Sequence, residues 1–141
     1  MKSPDQIARE LRRLIKGEVL FDELSRIMYS TGACSYQIIP LGAVAPKDTE
    51  DVIQLAKYCY ENEIPLIGRG AASGLCGQAL GSGIIVDFTQ FMNEVLEVDL
   101  QDSWVEVQPG VVQGVLNAQL LSANKFFPPD PSTSDYCTLG G

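Results

Sequence analysis

The sequence has no histidine. Imidazole acid–base chemistry and Ser–His or Cys–His nucleophile pairs are therefore excluded within this chain. Nor can a histidine complete a zinc site, and no metal site is expected. Positive charge is also scarce: ten Lys and Arg stand against eighteen Asp and Glu, a formal net charge of −8. Nucleic acid is an unfitting partner, because a phosphate backbone needs a concentrated basic face. No apolar run is long enough to span a bilayer, and the N-terminus is polar, unlike a secretory leader. The four cysteines, Cys34, Cys59, Cys76 and Cys137, include no Cys-x-x-Cys pair. A domain of this size without a secretion signal rarely needs disulfides, so they read as reduced thiols packed as small hydrophobes, in a cytoplasmic protein.

What is present is a globular composition. With 141 residues and 45% hydrophobic content, the chain suits one domain with a real core. Ser3-Pro4-Asp5-Gln6 is a helix start: Ser3 caps, Pro4 suits the first helical position, and Gln6 completes a capping box. Ile7, Leu11, Leu14 and Ile15 then share a face, and Gly17 ends the segment. Phe21 to Tyr29 reads as a second short helix, with Phe21, Leu24, Ile27 and Met28 apolar. Residues 1–30 thus form an N-terminal helical segment and residues 31–141 the main domain.

Ser30 to Pro46 lacks periodicity and reads as extended, with a short strand at Ala43 to Ala45. A helix from about Glu50 to Asn62 follows, capped by Asp48 or Thr49, with Val52, Ile53, Leu55, Ala56 and Cys59 as its buried stripe. Leu66 to Gly68 is a strand, completing a parallel βαβ unit. Ile84 to Phe88 is another. Asn93 to Asp99 and Ser103 to Val107 form two strands whose alternation turns Leu96, Val98, Val105 and Val107 toward the core. A helix from about Val111 to Ala123 carries Val112, Val115, Leu116, Gln119 and Leu120 near one stripe. Pro128-Pro129-Asp130-Pro131 can be neither helix nor central strand. The ending, Thr138-Leu139-Gly140-Gly141, reads as the break-off point of a longer protein.

Between the strands at Leu66 and Ile84 lies a loop of Gly, Ala and Ser. Glycine lets a backbone approach a ligand closely, and successive amides in such a turn converge on an anion. The loop is either a pyrophosphate cradle or a glycine-rich connector with no ligand. It is not a Rossmann turn. That motif needs a helix straight after the glycines. Leu75 to Gly83 is too short for one and carries Gly77, Gly81 and Gly83, and Ser73 stands where the third glycine belongs.

Five motifs occur in order: Arg69-Gly70-Ala71-Ala72-Ser73-Gly74 with Gly77; Ile85-Val86-Asp87-Phe88; Val107-Gln108-Pro109-Gly110-Val111; Pro129-Asp130-Pro131-Ser132; and Thr138-Leu139-Gly140-Gly141. Together they resemble the FAD-binding domain of vanillyl-alcohol oxidase (PCMH-type) flavoproteins, within them most the group of glycolate oxidase FAD subunits, D-lactate dehydrogenases and D-2-hydroxyglutarate dehydrogenases. The resemblance implies an α+β fold, the PCMH-type FAD-binding fold. In it an N-terminal βαβ subdomain is followed by the start of a second α/β subdomain, with FAD between them. It implies that Arg69, Gly70, Ala71, Ala72, Ser73, Gly74, Gly77 and Gln78 wrap the pyrophosphate. Pro129, Asp130, Pro131 and Ser132 would line the FAD from the other side, and Cys137, Thr138, Gly140 and Gly141 would pass close to it. Pro109 and Gly110 are weaker candidates, since a turn ending a strand explains them equally well, and Asp87 reads as a structural carboxylate.

The implied chemistry is oxidation of a 2-hydroxy acid by hydride transfer to the flavin. Some relatives attach FAD covalently through a loop histidine; here FAD would be non-covalent. The family's acid–base residues lie in a later cap domain, so no catalytic residue is assigned, and an iron–sulfur domain or subunit is an expected partner. Alternatives are the same fold acting on another alcohol or a sugar substrate, or on the enolpyruvyl reductase step of cell-wall synthesis, or a fragment serving as a non-catalytic interaction module.

Overall fold

The computed structural model describes residues 2–140. Helix α1 (Pro4–Leu14) opens on the capping box, with the Ser3 hydroxyl accepting from the Gln6 amide and the Gln6 side chain accepting from the Ser3 amide. The chain then forms β1 (Glu18–Leu20), α2 (Glu23–Met28), β2 (Gly42–Ala45), α3 (Thr49–Glu61), β3 (Leu66–Arg69), β4 (Ile84–Asp87), β5 (Val95–Asp99), β6 (Trp104–Val107) and α4 (Gln113–Leu120). Among the described residues no helix is long and apolar enough to cross a membrane.

Two sheets result, one of four strands in the order β1-β2-β4-β3 and one antiparallel pair, β5-β6. In the larger sheet β2, β4 and β3 run parallel, and β1 is added antiparallel beside β2. The βαβ unit is therefore real, but β4 is inserted between its two strands. All four residues of β2 and of β4 are buried, as befits central strands covered on both faces. Ile7, Leu11, Val19, Phe21, Val44, Leu55, Tyr58 and Ile84 join in one core.

Residues 1–30 are not purely helical: β1 lies within them and extends the sheet. Its three residues are too few for periodicity to reveal. Phe21 is buried but precedes α2, while Leu24, Ile27, Met28 and also Leu14 are exposed. In α3 the buried face is Asp51, Leu55, Tyr58 and Cys59, and Ile53 and Ala56 face outward. A carboxylate causes the rotation. Asp51 accepts the Lys16, Gly17 and Lys47 amides, each at 2.9 Å, tying the turn before β1 and the chain after β2 to this helix.

The second unit packs Val95, Val105, Val107, Phe127 and Leu139 around Val111, Leu116 and Leu120. Leu96 and Val98 are exposed, contrary to the alternation argument. Val95, opposite Val107, takes the inward position and leaves Leu96 outward. A bulge between Val95 and Glu97 adds one residue to β5, so that beyond it Val98 comes opposite the core-packed Val105 yet stays 39% exposed. In α4, Leu116 and Leu120 are buried as expected, whereas Val115 and Gln119 are exposed and Gln113 takes the remaining inward position.

Candidate functional site

Parallel strands β3 and β4 end at the same edge of the sheet, where residues 70–83 return as turns with no helix between them. Ala72 holds φ = 52°, a left-handed conformation that costs an alanine roughly 1–2 kcal/mol. It is over-determined by its surroundings: the Ala33 amide donates to the Ala72 carbonyl at 3.0 Å. Gly77, at φ = 79°, lies under the Tyr36 ring. The Ala72 carbonyl is thus turned back into the protein. Among the described residues no backbone N–H from Gly70 to Gly74 donates to a protein acceptor.

The opposite wall comes from the last residues of the chain. Leu139 N–H donates to Val111 O at 2.9 Å, Gly140 N–H to Pro109 O at 2.8 Å, and Thr138 bridges to Val112. The Thr138 hydroxyl donates to Gly140 O at 2.7 Å. Between the walls lies a cavity of about 250 Å³ bounded by Gly70, Ala71, Ala72, Ser73, Gly74, Gln78 and Ala79 on one side and Thr138, Leu139 and Gly140 on the other. A second cavity of about 500 Å³ shares Ser73, Gly74, Gln78, Thr138 and Leu139, and adds Pro129, Pro131, Thr133, Cys137 and Gln113 with the apolar Val105, Val107, Leu116 and Phe127. A mainly polar chamber therefore opens into a mainly apolar one.

Of the residues singled out in the sequence, Gly70 to Gly74, Gln78, Pro129, Pro131, Cys137, Thr138 and Gly140 meet around these chambers. Arg69, Gly77, Pro109, Gly110, Asp130 and Ser132 line neither. The Arg69 guanidinium points behind the loop, donating to Thr31 O at 2.9 Å and lying 5.4 Å from the centre of the Tyr29 ring. Pro109 offers its carbonyl to Gly140, Gly110 packs on the Phe88 and Met92 carbonyls, and Asp130 and Ser132 face solvent. Gly141 lies outside the described residues.

Gln113 was not singled out. It is 3% exposed; its amide nitrogen donates to Pro129 O and its oxygen accepts from the Cys137 thiol at 3.6 Å. The available signal was positional: a glutamine three and seven residues before Leu116 and Leu120, on the apolar stripe of α4.

Behind the loop, Tyr29 donates to Asp87 Oδ2 at 2.7 Å, and Thr89 donates to Asp87 Oδ1 through both its amide and its hydroxyl. Burial, then the Asp87 carboxylate, pushes the Tyr29 phenol well above its ordinary range, and burial lowers the Arg69 guanidinium. Asp87 is thus fully engaged in structure. Among the residues lining the two chambers, Cys137 is the one titratable side chain. An anion here would be held by neutral dipoles, and an aromatic ring would find apolar walls next door.

Residues 40–141 match the family described as FAD binding domain. The chain is 38% identical over 129 residues to the D-2-hydroxyglutarate dehydrogenase of Pseudomonas putida, covering 89% of this chain and 13% of that protein. It is 33% identical over 131 residues to glycolate oxidase subunit GlcD of Bacillus subtilis, covering 90% of this chain and 28% of that one. Among solved structures, alkyldihydroxyacetonephosphate synthase superposes with a TM-score of 0.83 at 23% identity, over 99% of this chain and 31% of that one. For p-cresol methylhydroxylase the TM-score is 0.67 at 21% identity, over 88% and 26%. At such identities these structures establish the fold alone.

Proposed function

Since this chain belongs to the FAD-binding domain family, we propose that it is the flavin-holding part of an oxidoreductase acting on a 2-hydroxy acid. The observation that carries this reading is the stretch Gly70 to Gly74, whose amides have no acceptor among the described residues and which lies opposite Thr138 to Gly140 across a chamber that adjoins an apolar one. FAD has the matching parts: a doubly charged diphosphate and planar rings. In this reading Gly70 to Gly74, Gln78, Thr138 and Gly140 hold the diphosphate, Pro129, Pro131 and Val107 flank a ring, and Cys137 lies beside it. Arg69, Gly77, Pro109, Gly110, Asp130 and Ser132 act from behind, and Gly141 is assigned with them on its sequence motif alone. Residues 31–141 are the FAD-binding unit, and residues 1–30 extend its sheet.

When bound, FAD accepts the hydride from the substrate's α-carbon. This chain's residues bind and orient it, shield it from water on one side and keep acids away from the diphosphate. They supply no acid–base group, which is assigned to another part of the protein. The substrate class follows the names of the sequence relatives, of which the chain spans only 13% to 28%. The absence of histidine and the free state of all four thiols favour non-covalent FAD and a reducing, cytoplasmic setting. The partner we propose is an iron–sulfur electron-transfer domain or subunit.

Titration of the chain with FAD, followed by flavin fluorescence, tests the reading. Saturable quenching, weakened by an Ala71→Asp substitution that sets a carboxylate beside the diphosphate, is expected. No quenching would sink it.

A further inference from the structure

The turn Pro128-Pro129-Asp130-Pro131 is an awkward wall for a binding chamber. Three of its four residues are prolines, which have no N–H, so the turn must be held mainly through its carbonyls. Pro131 O accepts from Ser134 N–H at 3.0 Å, and Pro129 O accepts from the Gln113 side chain. The Gln113 backbone N–H also donates to Cys137 O at 3.0 Å, and its side-chain oxygen accepts from the Cys137 thiol. One buried residue thereby grips the proline turn and the Cys137 segment together. All three form the same chamber.

We propose that Gln113 is a positioning residue that sets the separation of the Pro129 and Cys137 walls and so shapes the chamber for the flavin. For its flavin arm this inference rests on the function proposed above; its thiol arm does not. The chemistry needs a primary amide on a long stem. Leucine fills the space but neither donates nor accepts. Glutamate keeps the shape but sets an oxygen against the Pro129 carbonyl, and asparagine falls one methylene short.

The test compares the chain with its Q113L and Q113N variants in two measurements. In the first, iodoacetamide modification is followed thiol by thiol by mass spectrometry, with buried Cys59 and exposed Cys76 as internal references. Q113L should raise the Cys137 rate about fivefold, the factor one net hydrogen bond supplies, leaving Cys59 and Cys76 unchanged. In the second, FAD titration should show affinity reduced about tenfold in Q113L and less in Q113N, because loss of one buried polar tie typically costs about that factor. Equal Cys137 rates in Q113L and the parent chain would overturn the proposal. So would a rise at Cys59 matching that at Cys137, which marks general loosening. If Q113L fails to fold, Q113N carries the same criteria. If the parent chain binds no FAD, the functional reading falls while the thiol rates still decide the role of Gln113.

Discussion

Gly70 and Thr138, from motifs far apart in sequence, touch: the space a side chain on Gly70 would need is filled by the Thr138 hydroxyl, with the Gly140 carbonyl next to it. This contact brings the end of β3 against the last residues of the chain and closes the polar chamber. Substituting Gly70→Ala should push the two walls apart, at about 1–3 kcal/mol for overpacking, and weaken FAD binding. A Thr138→Ala change removes the obstructing oxygen, so the double variant should lose less stability than the two single losses added. Urea denaturation of the four proteins measures this coupling; simple additivity would contradict the contact.

A second prediction concerns Asp51, 1% exposed and surrounded by three amide donors. Hydrogen bonds to a charged group are each worth about 1.5–3 kcal/mol, and a donor shut off from water without its acceptor costs about 1–3 kcal/mol. Asp51→Ala should therefore destabilise the fold by about 3 kcal/mol or more. Asp51→Asn should cost roughly 2 kcal/mol, since an amide offers one acceptor oxygen where two are used. Both are read from urea midpoints. A loss below 0.5 kcal/mol, the scale of an ordinary surface change, would show that the anchor is dispensable.

Alkaline pH should destabilise the chain through groups that are neutral when protonated. Burial pushes the Cys59 thiol from about 9 up to about 11, and burial with carboxylate neighbours raises the Tyr29 and Tyr58 phenols above 10. The folded state keeps these protons while the unfolded chain releases them. The stabilising contribution is thus complete below about pH 9 and declines as pH climbs, first through Cys59 and then through the tyrosines. Thermal midpoints should fall between pH 9 and pH 11, and a Cys59→Ala variant should show a shallower early fall. Parallel curves for the two proteins would refute the assignment to Cys59.

What the sequence made legible follows from where the physics is local. The cap at Ser3, the helix around Leu55 and the strand at Ile84 to Asp87 depend on neighbours in the chain, and they stand where spacing and caps predict. β1 does not: three residues become a strand because β2 offers an edge. Leu96 faces outward because Val95 takes the inward position ahead of a bulge, and the register that decides this is set by β6, which no count of apolar residues discloses. At the site, the ordered motifs contain residues of both chamber walls, Gly70 to Gly74 on one side and Thr138 and Gly140 on the other. The resemblance could not say which side of the loop each residue occupies, and Gln113 acquires its meaning from three bonds to residues far along the chain.

Arg69 illustrates that gap and yields the last prediction. By sequence it belongs to the diphosphate loop, yet its guanidinium reaches backward to Thr31 O and the Tyr29 ring. If it touches no phosphate, its charge contributes little to the ionic-strength dependence of FAD binding, which reports charges close to the anion. An Arg69→Met variant should lower thermal stability and weaken FAD binding somewhat, through loss of the clamp on residues 29–31. The slope of log Kd against log salt should stay the same as in the parent chain. A guanidinium on the diphosphate would act differently: its removal would flatten that slope as affinity dropped. FAD titrations at several salt concentrations separate the two, and a flattened slope would return Arg69 to the front of the loop.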